Sequence, residues 1–350
     1  QARTMSMATE FELAPFVVSP QEAGHTLAKV LRSRLNGVTW NRVRRLIAAR
    51  RVQINSSVCT DDARRLQEGD RVTLLRHPQP LPVTAHPQRL VIRHLDEHIV
   101  VVEKPAGINT VRHPLERVWS QRRRQQSPTL EDLTQWAIAS RVRCPPQALP
   151  RLRIVHRLDR ETSGLLVFAR TAEAERILGK QFQAHTVYRR YIAIVLGRIN
   201  GQTFRSRMVR DRGDGRRGST RNPHLGKEAI THVDVIEHLP GYTVLSCRLE
   251  TGRTHQIRIH LAEAGHPVCG EKVYIHMPDG RVITDPSGAP RLALHAAELG
   301  FLHPASGVTL HWGMPLPDDL SRFLQKLKMS AGERDSPGYL GTGPTFPDQL

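Results

Sequence analysis

The chain has 350 residues, 39% of them apolar, and carries a formal net charge of +18 from 51 Lys and Arg against 33 acids. That length accommodates one large core and a smaller one, and the apolar share excludes a wholly disordered chain. No run approaches the roughly 18 consecutive apolar residues of a membrane span, and the charge calls for an anionic partner, nucleic acid first.

Residues 1–23 read as a loose leader, without the charged, apolar and small-residue order of a signal peptide. From Gly24 the pattern becomes regular. Leu27, Val30, Leu31 and Leu35 recur at helical spacing. After Asn36-Gly37, Thr39 or Asn41 can cap a second helix, with Trp40, Val43 and Ile47 as its apolar stripe. Two short strands follow, Val52–Asn55 and Arg71–Leu75. Residues 24–76 hold twelve Lys and Arg against four acids. Charges this dense repel one another unless phosphates neutralise them. Arg42, Arg44, Arg45, Arg50 and Arg51 are therefore the expected RNA contacts. The order helix, helix, strand, with Arg50-Arg51-Val52-Gln53-Ile54-Asn55 and Gly69-Asp70-Arg71-Val72, is similar to the S4-type RNA-binding domain.

Residues 77–88 hold four prolines and read as a semi-rigid linker. Strands are expected at Leu90–His94 and Ile99–Glu103, the second running into Lys104-Pro105-Ala106-Gly107, taken as a structural turn near a site. Leu115–Ser127 reads as a basic loop, and Thr129–Ala139 as a helix with Leu130, Leu133 and Ala137 at i, i+3 and i+7.

The central stretch is 154–170. Asp159 stands in a polar turn between two strand-like runs, Ile154–Val155 and Leu165–Ala169, with Arg157 and Arg160 beside it. A carboxylate held charged on such a turn can serve as nucleophile or base; the alternative is a structural turn residue paired to Arg157. Beyond it, Thr171 can cap a helix to His185 and Tyr188–Leu196 reads as a strand. Arg205–Gly226, rich in Arg and Gly, reads as disordered surface or as an insertion that orders on RNA. Thr231–Glu237 and Tyr242–Glu250 alternate as antiparallel strands. In Thr251–Gly265, Thr254 can cap a helix whose buried stripe is Ile257, Leu261 and Ala264. Arg258 lies next to that stripe and needs a carboxylate in a cleft. Residues 329–350 read as a disordered tail.

Cys59, Cys144, Cys247 and Cys269 show no CxxC spacing, which argues against a zinc site and disulfides and fits a reducing cytoplasm. No HExxH, dinucleotide-binding fingerprint between a strand and a helix, or P-loop is present, so neither metal nor cofactor is expected.

His156-Arg157-Leu158-Asp159 followed by Thr162-Ser163-Gly164-Leu165-Leu166 resembles the signature of the RluA-type pseudouridine synthases. Lys104-Pro105-Ala106-Gly107, Thr251-Gly252-Arg253-Thr254-His255-Gln256-Ile257-Arg258, Gly265-His266-Pro267-Val268 and Leu294-His295-Ala296 follow the same family pattern. The resemblance covers residues 24–76 and 89–328. It implies a mixed α+β fold, a largely antiparallel sheet crossed by the active cleft, preceded by the small S4-like domain. It implies isomerisation of uridine in RNA without a cofactor, with Asp159, Tyr191 and Arg258 as the catalytic set. Arg157 would fill the space left by the flipped base or touch a flanking phosphate, Leu294 would floor the pocket, and Arg253 would contact substrate. The family usually has Lys shortly before the tyrosine, where this chain has Arg189 and Arg190. The domain order favours large-subunit ribosomal RNA as the partner over transfer RNA, for a cytoplasmic monomer that binds no membrane. A non-catalytic RNA-binding assembly factor stays open beside it. A two-carboxylate glycosidase lacks a second acid in a comparable turn.

Overall fold

The computed structural model describes residues 13–55, 57–77, 90–112, 124–125, 127–212, 217–275 and 282–332. The expected linker, the loop at 115–127 and the tail fall mostly outside these residues.

The N-terminal unit comprises β1 (Phe16–Val17), α1 (Leu27–Arg34), α2 (Trp40–Ala48), β2 (Val52–Ile54), β3 (Ser57–Cys59) and β4 (Arg71–Leu74). Its sheet runs β1-β4-β2-β3, all antiparallel. β1 arises within the stretch read as leader, because Phe16 and Val18 are apolar enough to join the core. The Thr26 hydroxyl accepts from the Lys29 amide and starts α1, which buries Leu27, Val30 and Leu31. Val43, Leu46 and Ile47 face that same core from α2. Trp40, expected in the stripe, is instead 39% exposed and lies against the Arg32 guanidinium, 4.6 Å from ring centre. Arg42, Arg44 and Arg45 project outward, Arg44 toward Asp62 at 2.9 Å. Arg51 turns back, its Nε donating to the Leu75 carbonyl at 2.7 Å.

The larger unit holds β5 (Ile92–Leu95), β6 (Ile99–Lys104), α3 (Leu130–Val142), β7 (Arg153–Ile154), β8 (Ser163–Ala169), α4 (Ala172–Gln183) and β9 (Tyr188–Leu196). It continues through β10 (Gln202–Val209), β11 (Gly218–Thr220), β12 (Lys227–Leu239), β13 (Tyr242–Leu249), α5 (Gln256–Glu263), β14 (Leu294–Leu302), β15 (Thr309–Gly313) and α6 (Asp318–Gly332). α3 opens on a reciprocal cap, Thr129 accepting from the Asp132 amide while Asp132 accepts from that of Thr129. The strands form one sheet in the order β11-β10-β12-β13-β9-β14-β8-β6-β5, with β15 on β14 and β7 on β8. Among the described strands only β8 and β14 pair in parallel. All seven residues of β8 are buried, as expected for a central strand with both faces covered.

Two sequence expectations are corrected. Arg205–Gly226 is not disordered surface over its described residues: β10 pairs with β12, and β11 with β10, at the sheet edge. Thr254 does not cap α5. His255 takes that position in the left-handed region, at φ 59° and ψ 22°, and Ala264 is exposed where the stripe predicted burial.

The sheet centre positions the cleft. Tyr191 of β9, Ala296 of β14 and Gly164 of β8 stand on one cross-strand rung. Gly164 sits at φ +129°, and a Cβ there would lie 2.3 Å from the Ala296 carbonyl oxygen. Only glycine allows β8 to approach β14 this closely. The rung holds Tyr191 and the turn leading into β8 two strands apart.

Candidate active site

Asp159 lies on the turn between β7 and β8, five residues before Gly164, and its side chain is 17% exposed. Lys104 anchors that turn. Its Nζ, fully buried at the end of β6, donates to the carbonyls of Pro105, Arg160 and Thr162 at 3.0, 2.9 and 2.8 Å. Thr110 adds a second tie, accepting from the Leu158 amide at 3.2 Å and donating to the Leu158 carbonyl at 2.8 Å. Burial lowers the Lys104 ammonium to about 7, while its three carbonyl acceptors match the three donors of a charged head.

Arg258 reaches the cleft from α5, whose buried side packs Ile257, Ile259 and Leu261. Its Nη1 stands 3.5 Å from Asp159 Oδ2, while Nε and Nη2 form a fork onto Glu271 at 2.7 Å each. Burial of Arg258 opposes its charge, but Glu271 and Asp159 outweigh that and raise it further. Glu271 shows the converse: burial pushes it up, and the Arg258 charge with the hydrogen bonds brings it down to about 2. Glu271 Oε1 also accepts from the amides of Lys272 and Val273, both at 2.9 Å, which fixes the following loop.

His255, next to Arg258 on the same face of the cleft, places Nε2 3.7 Å from Asp159 Oδ1. Tyr191 is 7% exposed on β9, and burial raises its phenol to about 12, so it is un-ionised near neutral pH. These residues line a cleft of about 480 Å³ with Arg157, Phe182, Arg189, Arg253 and Leu294.

Each residue singled out in the sequence has a definite place. Asp159, Tyr191 and Arg258 converge on the cleft from three elements. Leu294, paired with Ala193, opens β14 beneath it. Arg157 is exposed at the lip, two residues before Asp159 in the chain. Arg253 lines the wall, and its Nε donates to the Glu228 carbonyl at 2.8 Å. Arg189, the departure from the family's Lys, is buried with Nη2 on the carbonyls of Leu249 and Glu250 at 3.3 and 2.8 Å. Arg190 points elsewhere, to Glu298. The five arginines expected to contact RNA, Arg42, Arg44, Arg45, Arg50 and Arg51, lie outside this cleft's lining.

Sequence reasoning missed Glu271, His255 as a neighbour of Asp159, and Tyr274. One signal for Glu271 was available: the carboxylate that Arg258 was expected to need had to come from somewhere. Among the described residues, His94, Asp96 and His303 also cluster. His303 Nδ1 accepts from the amides of Ala305 and Ser306, so its Nε2 carries the proton and donates to Asp96 at 3.0 Å. That tautomer offers a metal no lone pair at Nε2.

Comparison with known proteins gives the family. The family model described as RNA pseudouridylate synthase matches residues 98–263, and the S4 domain model matches residues 26–72. A ribosomal large subunit pseudouridine synthase D from Zymomonas mobilis is 33% identical over 321 residues, 88% of this chain and 95% of that protein. The chain belongs to the RNA pseudouridylate synthase family. Another synthase of this name, from Nitrosomonas europaea, is 42% identical over 245 residues, 67% of this chain and 64% of that protein. The likeness to the human RNA pseudouridylate synthase domain containing 4 structure has a TM-score of 0.53 at 20% identity, over 67% of this chain and 92% of that one. It shows a shared fold. The mixed α+β class and the antiparallel-dominated sheet are those expected of this synthase.

Proposed function

We propose that this synthase converts uridine to pseudouridine in large-subunit ribosomal RNA, with Asp159 as the reacting carboxylate. The observation that carries the reading is the placement of Asp159. Its oxygens face the cleft between Arg258 and His255 at 3.5 and 3.7 Å, and among the described residues no closer ion pair closes off the carboxylate.

The bond from N1 to the ribose C1′ breaks, the uracil turns, and C5 bonds to C1′ while a proton leaves C5 and one reaches N1. Composition is unchanged. A carboxylate facing the ribose can attack C1′ or remove a ribose proton, and either role requires it charged and oriented. Arg258 supports both needs by its charge at 3.5 Å, and its fork onto Glu271 prevents it from swinging. Tyr191 offers the flipped base a ring on which to stack, worth about 1–3 kcal/mol, and Leu294 supplies the apolar floor. Arg157 at the lip takes the place vacated in the RNA stack or a neighbouring phosphate. Arg253 contributes a further cation to the wall.

Arg42, Arg44, Arg45, Arg50 and Arg51 of the N-terminal unit grip phosphates, most directly the outward-facing first three. Ribosomal RNA as the target draws on the names of the relatives and on the basic S4 domain ahead of the catalytic unit. The reading includes a monomer, because one chain supplies every residue of the cleft. It also includes the cytoplasm, in keeping with four free thiols.

The test is pseudouridine mapping of ribosomal and transfer RNA from cells with and without the gene. Sites in large-subunit RNA should vanish on deletion and return with the wild-type gene but not with Asp159→Asn. Restoration by Asp159→Asn would end the assignment of Asp159, and loss confined to transfer RNA would move the substrate.

A further inference from the structure

The two oxygens of Asp159 are attended by different groups. Arg258 stands on Oδ2. On Oδ1 stands His255, whose backbone adopts a conformation a non-glycine residue rarely takes, at φ 59° and ψ 22°. We infer that His255 is a positioning residue for the reaction: its Nε2–H holds the Oδ1 side of the Asp159 carboxylate, and the Tyr274 hydroxyl fixes the ring in that tautomer. The inference rests on the proposed role of Asp159.

The tautomer follows from the contacts. His255 Nδ1 is 2.7 Å from the Tyr274 hydroxyl. Were Nδ1 to carry the proton, the Nε2 lone pair would point at a carboxylate 3.7 Å away, lone pair against negative charge. With the hydroxyl donating to Nδ1, the proton resides on Nε2 and faces Asp159, which is attractive. Burial supports a neutral ring by holding the imidazole down at about 4, and it keeps the Tyr274 phenol in its O–H form. A neutral donor suits the site. It orients the carboxylate without adding a second full charge that would weaken its basicity or nucleophilicity. At 3.7 Å the contact is looser than a hydrogen bond, as is common before substrate closes a catalytic site.

The surrounding turn is built to hold this arrangement. Gln256 Oε1 accepts from the Thr251 hydroxyl and the Arg253 amide at 2.7 and 3.0 Å, so the turn delivering His255 is tied at both ends. Tyr274 is placed by the Glu271 loop, and the Arg258 guanidinium lies 5.3 Å from its ring centre. The two groups attending Asp159 thus share one frame, with Glu271 setting Arg258 directly and His255 through Tyr274.

The experiment uses the full chain on an RNA it modifies. His255→Gly keeps the left-handed backbone and removes the ring; His255→Asn keeps that backbone, which asparagine tolerates, and restores a side-chain N–H. We expect kcat to fall about 100-fold in His255→Gly with KM within about threefold, as for a displaced catalytic group. His255→Asn should recover about tenfold of that loss, and Tyr274→Phe should cost about tenfold in kcat alone, both in line with misorientation. A His255→Gly enzyme within about twofold of wild-type kcat overturns the inference. If His255→Gly does not fold, the other two variants decide: wild-type kcat in Tyr274→Phe, or no activity in a His255→Asn protein that melts normally, overturns it equally. Asp159→Asn is run alongside. Its inactivity with active His255 variants removes only the role of His255, whereas its full activity removes the reading beneath.

Discussion

Arg258 gives the paired nitrogens of its fork to Glu271, at 2.7 Å each, and only the remaining Nη1 to Asp159, at 3.5 Å. The strong pair is buried and the weak one faces the cleft. The arginine is therefore a fixed charge beside Asp159 rather than a partner that neutralises it at contact. Lysine cannot reproduce a fork and a third contact together. Arg258→Lys should lower the single-turnover rate on the order of 100-fold, with RNA affinity by filter binding little changed. Glu271→Gln leaves a buried guanidinium without its counter-charge and should cost about 3–5 kcal/mol in urea unfolding. A Glu271→Gln protein as stable as wild type would show that the pair does not organise the cleft.

Gly164 marks a close approach of β8 to β14. Gly164→Ala must push a methyl into the Ala296 backbone while holding φ at +129°, so β8 and β14 have to separate. We expect a loss of more than about 3 kcal/mol in stability, at the severe end for a single substitution. Activity should disappear with it, since Tyr191 and the Asp159 turn are registered through this rung. A normal melting curve for Gly164→Ala would refute the registration.

Four histidines are held below the ordinary imidazole value of 6.5 by burial: His156 at about 3, and His255, His260 and His295 at about 4. The unfolded chain takes up these protons near 6.5, and the folded chain resists until about 4. The stability owed to these four groups is therefore full above pH 6.5 and declines as pH falls through that window, each group costing on the order of 1 kcal/mol per unit. Urea midpoints measured from pH 8 to pH 5 should drop across the window below about 6.5. A midpoint unchanged at pH 5 would contradict this.

The N-terminal unit has its own hydrophobic core and its own four-stranded sheet. Removing residues 1–76 should leave a folded catalytic unit that binds RNA more weakly and with a shallower dependence of log Kd on log salt, because fewer counterions are released. An undiminished slope would mean that the outward-facing arginines of α2 do not touch phosphate.

Local pattern made much of this legible. Tyr188–Leu196 is strand over the span its β-branched and aromatic run indicates, the helices opening at Leu27 and Leu130 announce themselves by apolar spacing, and the helix after Thr171 by its cap. Two failures have physical causes. β10 buries only Met208, so it lacks the alternation that marks a half-buried strand, and it is held by pairing with the distant β12, from Met208↔Lys227 to Gln202↔Val233. His255 displaced Thr254 as the cap because its backbone is bent left-handed, a cost that its surroundings and not its own propensity decide. At the site, the charge of Arg258 declared a need for an acid, but Glu271 sits in a stretch without periodicity. Nothing local ties it to a helix thirteen residues earlier.

β14 lies between β9 and β8, and apart from its own pairing with β15 every other pairing in this sheet, among the described strands, joins strands on one side of it or the other. Without it the sheet is two half-sheets, one ending in β8 beside the Asp159 turn and the other in β9 with Tyr191. A chain growing from the ribosome completes both halves long before residue 294 emerges, and each then waits with an open edge. Closure of the last gap and assembly of the cleft are thus a single late event of high contact order. A chain lacking β14 would hold both halves of the catalytic centre apart, each with an unpaired strand edge of the kind that templates misassembly.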